Sequence, residues 1–276
     1  MIEPRDASLS VGSLRLHYLD WGDDGHPPML LLHGGLAHAH WWDFLAPLMT
    51  DHYRVLALDL RGHGDSDWDQ DAEYGVEAHA SDVLAFIREM KLDGATLVGH
   101  SFGGQVAIKS AAEIGSRLAA LVVIDSRTRI GERAARFMDS LRKLPQPVYR
   151  SFDEAVQRFR LLPIDHQTSP EVLRHIARGA VRQQQDRTWT FKFDRRAMVN
   201  TQTSDLTREL QMLRCPLLVV RGAESTLIPS SVLDDFVAAA PHAECNAIPA
   251  AHHHVMLDQP RALAEAMRDF LLRERR

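Results

Sequence analysis

Five short, almost wholly apolar runs constrain this chain more than any other feature. They lie at residues 29–32, 54–58, 95–98, 121–124 and 217–220. A strand with one wet face alternates apolar and polar residues; these runs do not, so each reads as a strand buried on both faces. Between them the period lengthens. Residues 76–90 read as an amphipathic helix, and 105–113 and 232–239 are helix-compatible. Strands of this kind alternating with helices imply a parallel sheet covered on both sides. Residues 8–20 alternate like a pair of strands turning at Gly12, and a last strand is expected near 244–248. Trp41, Trp42, Phe44, Leu45 and Leu48 fit one face of a single helix. The closing helix starts after Pro260, a good first-turn residue. The expected fold is α/β, with a mostly parallel eight-stranded sheet flanked by helices.

The texture changes after Asp125. Residues 126–206 hold no buried-strand run, are rich in Arg, Gln, Phe and helix formers, and are broken by prolines at 145, 147, 163 and 170. This predicts a core of 1–125 and 207–276 with a mainly helical insertion at 126–206. A length of 276 residues suits one large domain with such an insertion. The net charge of -5 gives no electrostatic case for nucleic acid or an anionic membrane. No apolar run reaches the roughly 20 residues that span a bilayer, and residues 1–6 lack a signal-peptide apolar core. Cys215 and Cys245 stand far apart in no metal-like spacing, so reduced thiols and a cytoplasmic location are expected.

One stretch carries chemistry. Residues 95–98 run into Gly99-His100-Ser101-Phe102-Gly103, and a helix follows. This is strand, sharp turn, helix, with a serine at the apex. Flanking glycines let strand and helix approach closely while the backbone at the serine is strained. The N–H of Phe102, in the first turn of a helix, is a free donor beside the positive end of the dipole. Serine needs a base of near-neutral pKa to become a nucleophile, and histidine supplies one.

These residues resemble the nucleophile elbow of the α/β-hydrolase superfamily, and the likeness extends over nearly the whole chain. His33-Gly34-Gly35 resembles the loop whose second glycine donates a backbone N–H to an oxyanion, which implies Gly35 paired with Phe102. Asp59-x-Arg61-Gly62-x-Gly64-x-Ser66 resembles a loop read here as structural, with Arg61 holding it. Ile248-Pro249-Ala250-Ala251-His252-His253-His254, followed by Leu257-x-x-Pro260, is similar to the catalytic-histidine loop. Alignment on Ile248, Pro249 and Pro260 puts His253 at the catalytic position, with His252 in place of the usual glycine. Three consecutive histidines, joined by His33, His38 or His40, also invite a metal. Adjacent side chains point in divergent directions, however, and no ligand spacing supports one.

The sequence departs from the family pattern at the triad acid. Many relatives carry it in a Gly-x-x-Asp loop; here that loop is Gly222-Ala223-Glu224-Ser225, with serine at the acid position. Asp125, at the end of the 121–124 strand, resembles the alternative placement seen in haloalkane dehalogenases and is the expected acid, with Glu224 as the alternative. The insertion resembles a cap whose Phe137, Met138, Phe152, Phe159, Trp189, Phe191 and Phe193 either line an apolar acyl or ring pocket or form the cap's own core. Arg127 and Arg129 offer either a substrate-carboxylate contact or a structural pair. The resemblance implies a serine hydrolase for a small carboxylic ester, lactone or thioester, with no cofactor or metal and no nucleic-acid or membrane partner. A carbon–carbon bond hydrolase, a cofactor-free dioxygenase and a hydroxynitrile lyase use similar residues and remain alternatives.

Overall fold

All five apolar runs lie in one eight-stranded sheet. The structure, a computed structural model, describes residues 2–22, 25–129, 132–198 and 205–274. The chain opens with β1 (Arg5–Val11), β2 (Leu14–Trp21), β3 (Pro28–Leu32) and β4 (Arg54–Leu58). It continues through α1 (Val76–Glu89), β5 (Thr96–His100), α2 (Phe102–Ile114) and β6 (Ala120–Ile124). The strand order is β1-β2-β4-β3-β5-β6, followed by two late strands at Leu217–Gly222 and Glu244–Ile248. Pairings of β1 with β2 and of β2 with β4 are antiparallel, and the others in this sheet are parallel. The expected eight-stranded, mostly parallel sheet is therefore present.

The strands show why they read as continuous apolar runs. Leu30, Leu32, Leu56, Leu58, Leu97, Leu121 and Val123 enter one core layer. Met29, Leu31, Val55, Ala57, Val98, Val122 and Ile124 enter the layer on the opposite face. Successive residues of a strand point to opposite faces, so a strand covered on both sides has to be apolar at every position. A leucine-to-alanine change at any of these sites costs about 2–5 kcal/mol.

After β6 the chain leaves the sheet through α3 (Glu132–Arg142), α4 (Phe152–Arg158), α5 (Pro170–Gly179) and an antiparallel pair, β7 (Val181–Gln183) and β8 (Trp189–Phe191). The insertion is thus not wholly helical. Its strands are three residues each, too short to show a period. The chain then rejoins the core through α6 (Thr207–Met212), β9 (Leu217–Gly222), α7 (Ser231–Ala239), β10 (Glu244–Ile248), α8 (Val255–Asp258) and α9 (Pro260–Arg273). One expectation fails. Residues 39–48 form two separate 3₁₀ turns, Ala39–Trp42 and Ala46–Leu48, rather than one helix. Pro47 lacks an N–H and would clash inside a continuous helix, so it opens the second turn instead.

Several imidazoles are buried in this core. Burial pushes His33 and His79 down to about 3 and His38 down to about 4. All three are neutral when folded and titrate near 6.5 when unfolded. Below pH 6.5 the unfolded chain therefore binds more protons, and each such histidine removes roughly 1.4 kcal/mol of stability per pH unit. Two groups act the other way. Burial lowers His17, but its hydrogen bond and charge pairing with Asp59 outweigh that and raise it; Asp43 does the same for His40. Their stabilisation is present below pH 6.5 and fades as pH rises through their folded values. The neutral group prevails by number, so the thermal midpoint is expected to fall by about 5–10 °C between pH 7 and pH 5. Differential scanning calorimetry across that range checks it, and a flat or rising midpoint contradicts it.

Candidate active site

Ser101 sits at the turn between β5 and α2 with φ 52° and ψ −118°. That backbone is strained by about 1–3 kcal/mol for a residue with a side chain. The flanking glycines are required by contact. A methyl on Gly99 would meet the Gly103 carbonyl oxygen at 2.2 Å, and one on Gly103 would meet the Leu32 and His33 carbonyl oxygens at 2.4 Å. Ser126 holds the turn from the neighbouring strand end, its hydroxyl donating to the Ser101 carbonyl at 2.6 Å.

His253 lies in the loop after β10. Its Nε2 is 3.1 Å from Ser101 Oγ and its Nδ1 is 2.7 Å from Asp125 Oδ2. The carboxylate can only accept, so the proton sits on Nδ1 and the Nε2 lone pair faces the serine hydroxyl. Asp125 follows β6 directly, is 1% exposed and takes a positive φ of 42°. Its Oδ1 accepts the Gly222 N–H at 2.8 Å, and its Oδ2 also accepts the Ser225 hydroxyl at 2.7 Å. Three donors thus hold one buried carboxylate. Serine at the usual acid position donates to the acid that stands one strand away. Residue 225 departs from the family pattern in the sequence, and only the fold makes it a partner of Asp125.

Glu224 points elsewhere. Its Oε2 accepts from Gln167 Nε2 at 3.1 Å and lies 3.7 Å from His252 Nε2. The backbone N–H of His252 donates to Asp258 Oδ2 at 2.9 Å, which pins the loop just before His253. Of the two candidate acids, Asp125 is against His253 and Glu224 is beside its neighbour.

The loop after β3 completes the site. His33 Nε2 accepts the Leu60 N–H at 3.0 Å, which places its proton on Nδ1, 2.7 Å from the Gly34 carbonyl it donates to. This clamps the His33-Gly34-Gly35 turn against the loop after β4. Gly35 is exposed, and a methyl added there would lie 4.0 Å from Phe102 Cβ. Phe102 is the first residue of α2, where helix geometry leaves the N–H without an intrahelical acceptor.

The remaining candidates are engaged in other contacts. Asp59 accepts from the Ala39 and Asp65 N–H groups at 2.6 and 2.9 Å, and Arg61 clasps Asp82 through two 2.6 Å hydrogen bonds. Arg127 donates to the Leu227 carbonyl and Arg129 pairs with Asp205. Phe152, Phe159, Trp189, Phe191 and Phe193 cluster around Ala155, Ala180 and Val181 as the insertion's own small core. The side chains of Phe137 and Met138 lie outside those described. Links from insertion to core run from Lys192 to Asp65, from His175 to Asp43, from Thr168 to Asp258 and from Asp194 to Tyr74.

Among the described residues, three groups bring metal-ligating atoms within 4.8 Å of one another: His100 with His253 and His254, His40 with Asp43 and His175, and His17 with Asp59 and Asp65. The first corrects the expectation that adjacent histidines diverge. His254, at φ −92° and ψ 59°, turns the chain into α8, so alternation is broken there.

A sequence profile of the alpha/beta hydrolase family matches residues 29–266. The chain belongs to the alpha/beta hydrolase family. As a member it is an enzyme of the hydrolase class, and relatives agree with that. The N-formylmaleamate deformylase of Pseudomonas putida is 33% identical over 142 residues, spanning 49% of this chain and only 53% of that protein. The esterase Rv0045c of Mycobacterium tuberculosis is 26% identical over 260 residues, covering 92% of this chain and 85% of that one. The crystal structure of E-2-(acetamidomethylene)succinate hydrolase superposes with a TM-score of 0.82 at 23% identity, covering 97% and 99% of the two chains, a likeness of fold. No described helix of this alpha/beta hydrolase is long and apolar enough to cross a membrane.

Proposed function

We propose that this hydrolase cleaves a small carboxylic ester, lactone or thioester through an acyl-enzyme on Ser101. The observation that carries the reading is the unbroken line from Asp125 through His253 to Ser101, with separations of 2.7 and 3.1 Å. Ser101 Oγ attacks the carbonyl while His253 Nε2 takes its proton. Asp125 keeps the imidazole in the Nδ1–H tautomer and stabilises the imidazolium that forms. The Gly35 and Phe102 N–H groups receive the oxyanion; a donor of this type is worth about 3–4 kcal/mol in the transition state. The protonated His253 then gives its proton to the leaving group. A water deprotonated by the same nitrogen splits the acyl-enzyme. No step needs a cofactor. Residues 126–206 act as a cap, and the acyl portion reaches Ser101 from the side of the exposed Gly35.

The test is a panel of p-nitrophenyl esters of graded chain length together with a fluorophosphonate probe. Turnover of short esters and labelling of Ser101 support the reading, and labelling of another serine removes it. The deformylase among the relatives makes a small amide the natural second substrate class to include.

Ser225 is expected to matter through Asp125. Ser225→Ala removes one of the three donors on that carboxylate, and a hydrogen bond to a charged group is worth about 1.5–3 kcal/mol. Turnover should drop about tenfold or more while KM changes little. Steady-state kinetics decide it; an unchanged kcat means that two donors suffice to hold Asp125.

A further inference from the structure

We propose that His100, His253 and His254 form an inhibitory site for one late first-row divalent cation, Zn²⁺ being the best fit, which stops the reaction by taking the lone pair that His253 needs. The proposal rests on the reading of Ser101 and His253 as the reacting pair.

His254 is the starting observation. It is 1% exposed, and neither of its ring nitrogens has a hydrogen-bond partner. The Leu162 carbonyl approaches the ring without closing a hydrogen bond. A buried polar group left unpaired costs about 1–3 kcal/mol, and a phenylalanine would fill the same space against Trp41 without that cost. His100 repeats the pattern. It is 1% exposed, its Nε2 is 2.9 Å from the His253 carbonyl and donates to it, and its Nδ1 has no partner. That Nδ1 faces the turn at Gly34, where an added methyl would sit 2.8 Å away and 3.2 Å from Ser101 Cβ. The orphan nitrogen of His100 and the Ser101 side chain thus flank the same point beside Gly34.

The three rings are close, with centroids 4.7 Å apart for His100 and His253, 5.0 Å for His253 and His254, and 5.8 Å for His100 and His254. One ligand atom from each lies within 4.8 Å of the others. Tetrahedral Zn²⁺ with Zn–N bonds of about 2.0–2.1 Å sets its nitrogens roughly 3.3 Å apart, so the rings draw together around the ion as it binds. Three imidazoles suit Zn²⁺, Cu²⁺ or Ni²⁺ better than Mg²⁺ or Ca²⁺. The fourth position falls to water or to Ser101 Oγ. No bond to carbon is made or broken. The cation occupies the Nε2 lone pair of His253, and the serine hydroxyl keeps its proton.

The experiment titrates the full chain with ZnCl₂ by calorimetry and follows p-nitrophenyl acetate hydrolysis in parallel. One Zn²⁺ is expected to bind per chain at this site, with hydrolysis lost on binding and restored by a chelator. His254→Phe should keep its hydrolysis and raise the ZnCl₂ concentration for half-inhibition by at least about tenfold. His254→Gln serves if the phenylalanine variant fails to fold. His100→Gln, read by calorimetry alone, should lose the same binding heat. Inhibition unchanged in a folded His254 variant overturns the proposal. So does relief of inhibition by His175→Ala, which removes a ligand of the separate His40–Asp43–His175 group. If the chain turns over no ester at all, the proposed reaction fails, while calorimetry on the His254 variants still decides the metal site.

Discussion

Ser101→Ala is expected to lower ester turnover by about five to six orders of magnitude, the scale seen when a triad serine is removed elsewhere. The loss is so large because attack, proton transfer and acyl-enzyme formation all require that oxygen. His253→Ala should cost about as much, and the double variant scarcely more than either single one, because the two groups act as a unit. What remains in every case is the rate enhancement expected from binding and from the proposed N–H donors of Gly35 and Phe102. Comparing kcat/KM for the two singles and the double checks this. Additive losses would mean that the serine and histidine serve separate steps.

The second large effect separates two carboxylates. Asp125→Asn keeps the shape of the side chain. Its amide can donate to His253 Nδ1, which favours the wrong tautomer and points a proton, not a lone pair, at Ser101. The parallel substitution in another triad costs about 10⁴ in kcat. Glu224→Gln should cost threefold or less, because Glu224 touches Gln167 and His252 and is about half exposed, where solvent screens its charge. The reverse ranking in steady-state kinetics would move the acid to the loop after β9.

Much of this was legible in the sequence, for identifiable reasons. Strands buried on both faces leave no polar position, so the runs at 29–32, 121–124 and 217–220 announced a covered parallel sheet. The glycines around Ser101 announced the elbow because the contacts at Gly99 and Gly103 admit no side chain. The spacing from Ile248 to Pro260 singled out the middle histidine of three. Asp125 stands ahead of Glu224 in the sequence only through its resemblance to the alternative placement, because the deciding contact joins residues more than a hundred positions apart. The part played by Ser225 was hidden for the same reason. The three-residue strands of the insertion were too short to show a period. The residues at 39–48 carried a helical period, and Pro47 broke it. His254 departs from the expected divergence because the backbone turns into α8 at that residue, so its ring joins those of His253 and His100.

The most direct measurement of the central claim is rapid quenching of the protein during turnover of a slow ester, followed by intact-mass and peptide mass spectrometry. A covalent acyl-enzyme predicts a mass increase equal to the acyl group, carried by the peptide containing Ser101, rising in a burst and decaying with product release. Turnover with no acyl adduct at any quench time, or an adduct on a residue other than Ser101, would contradict it.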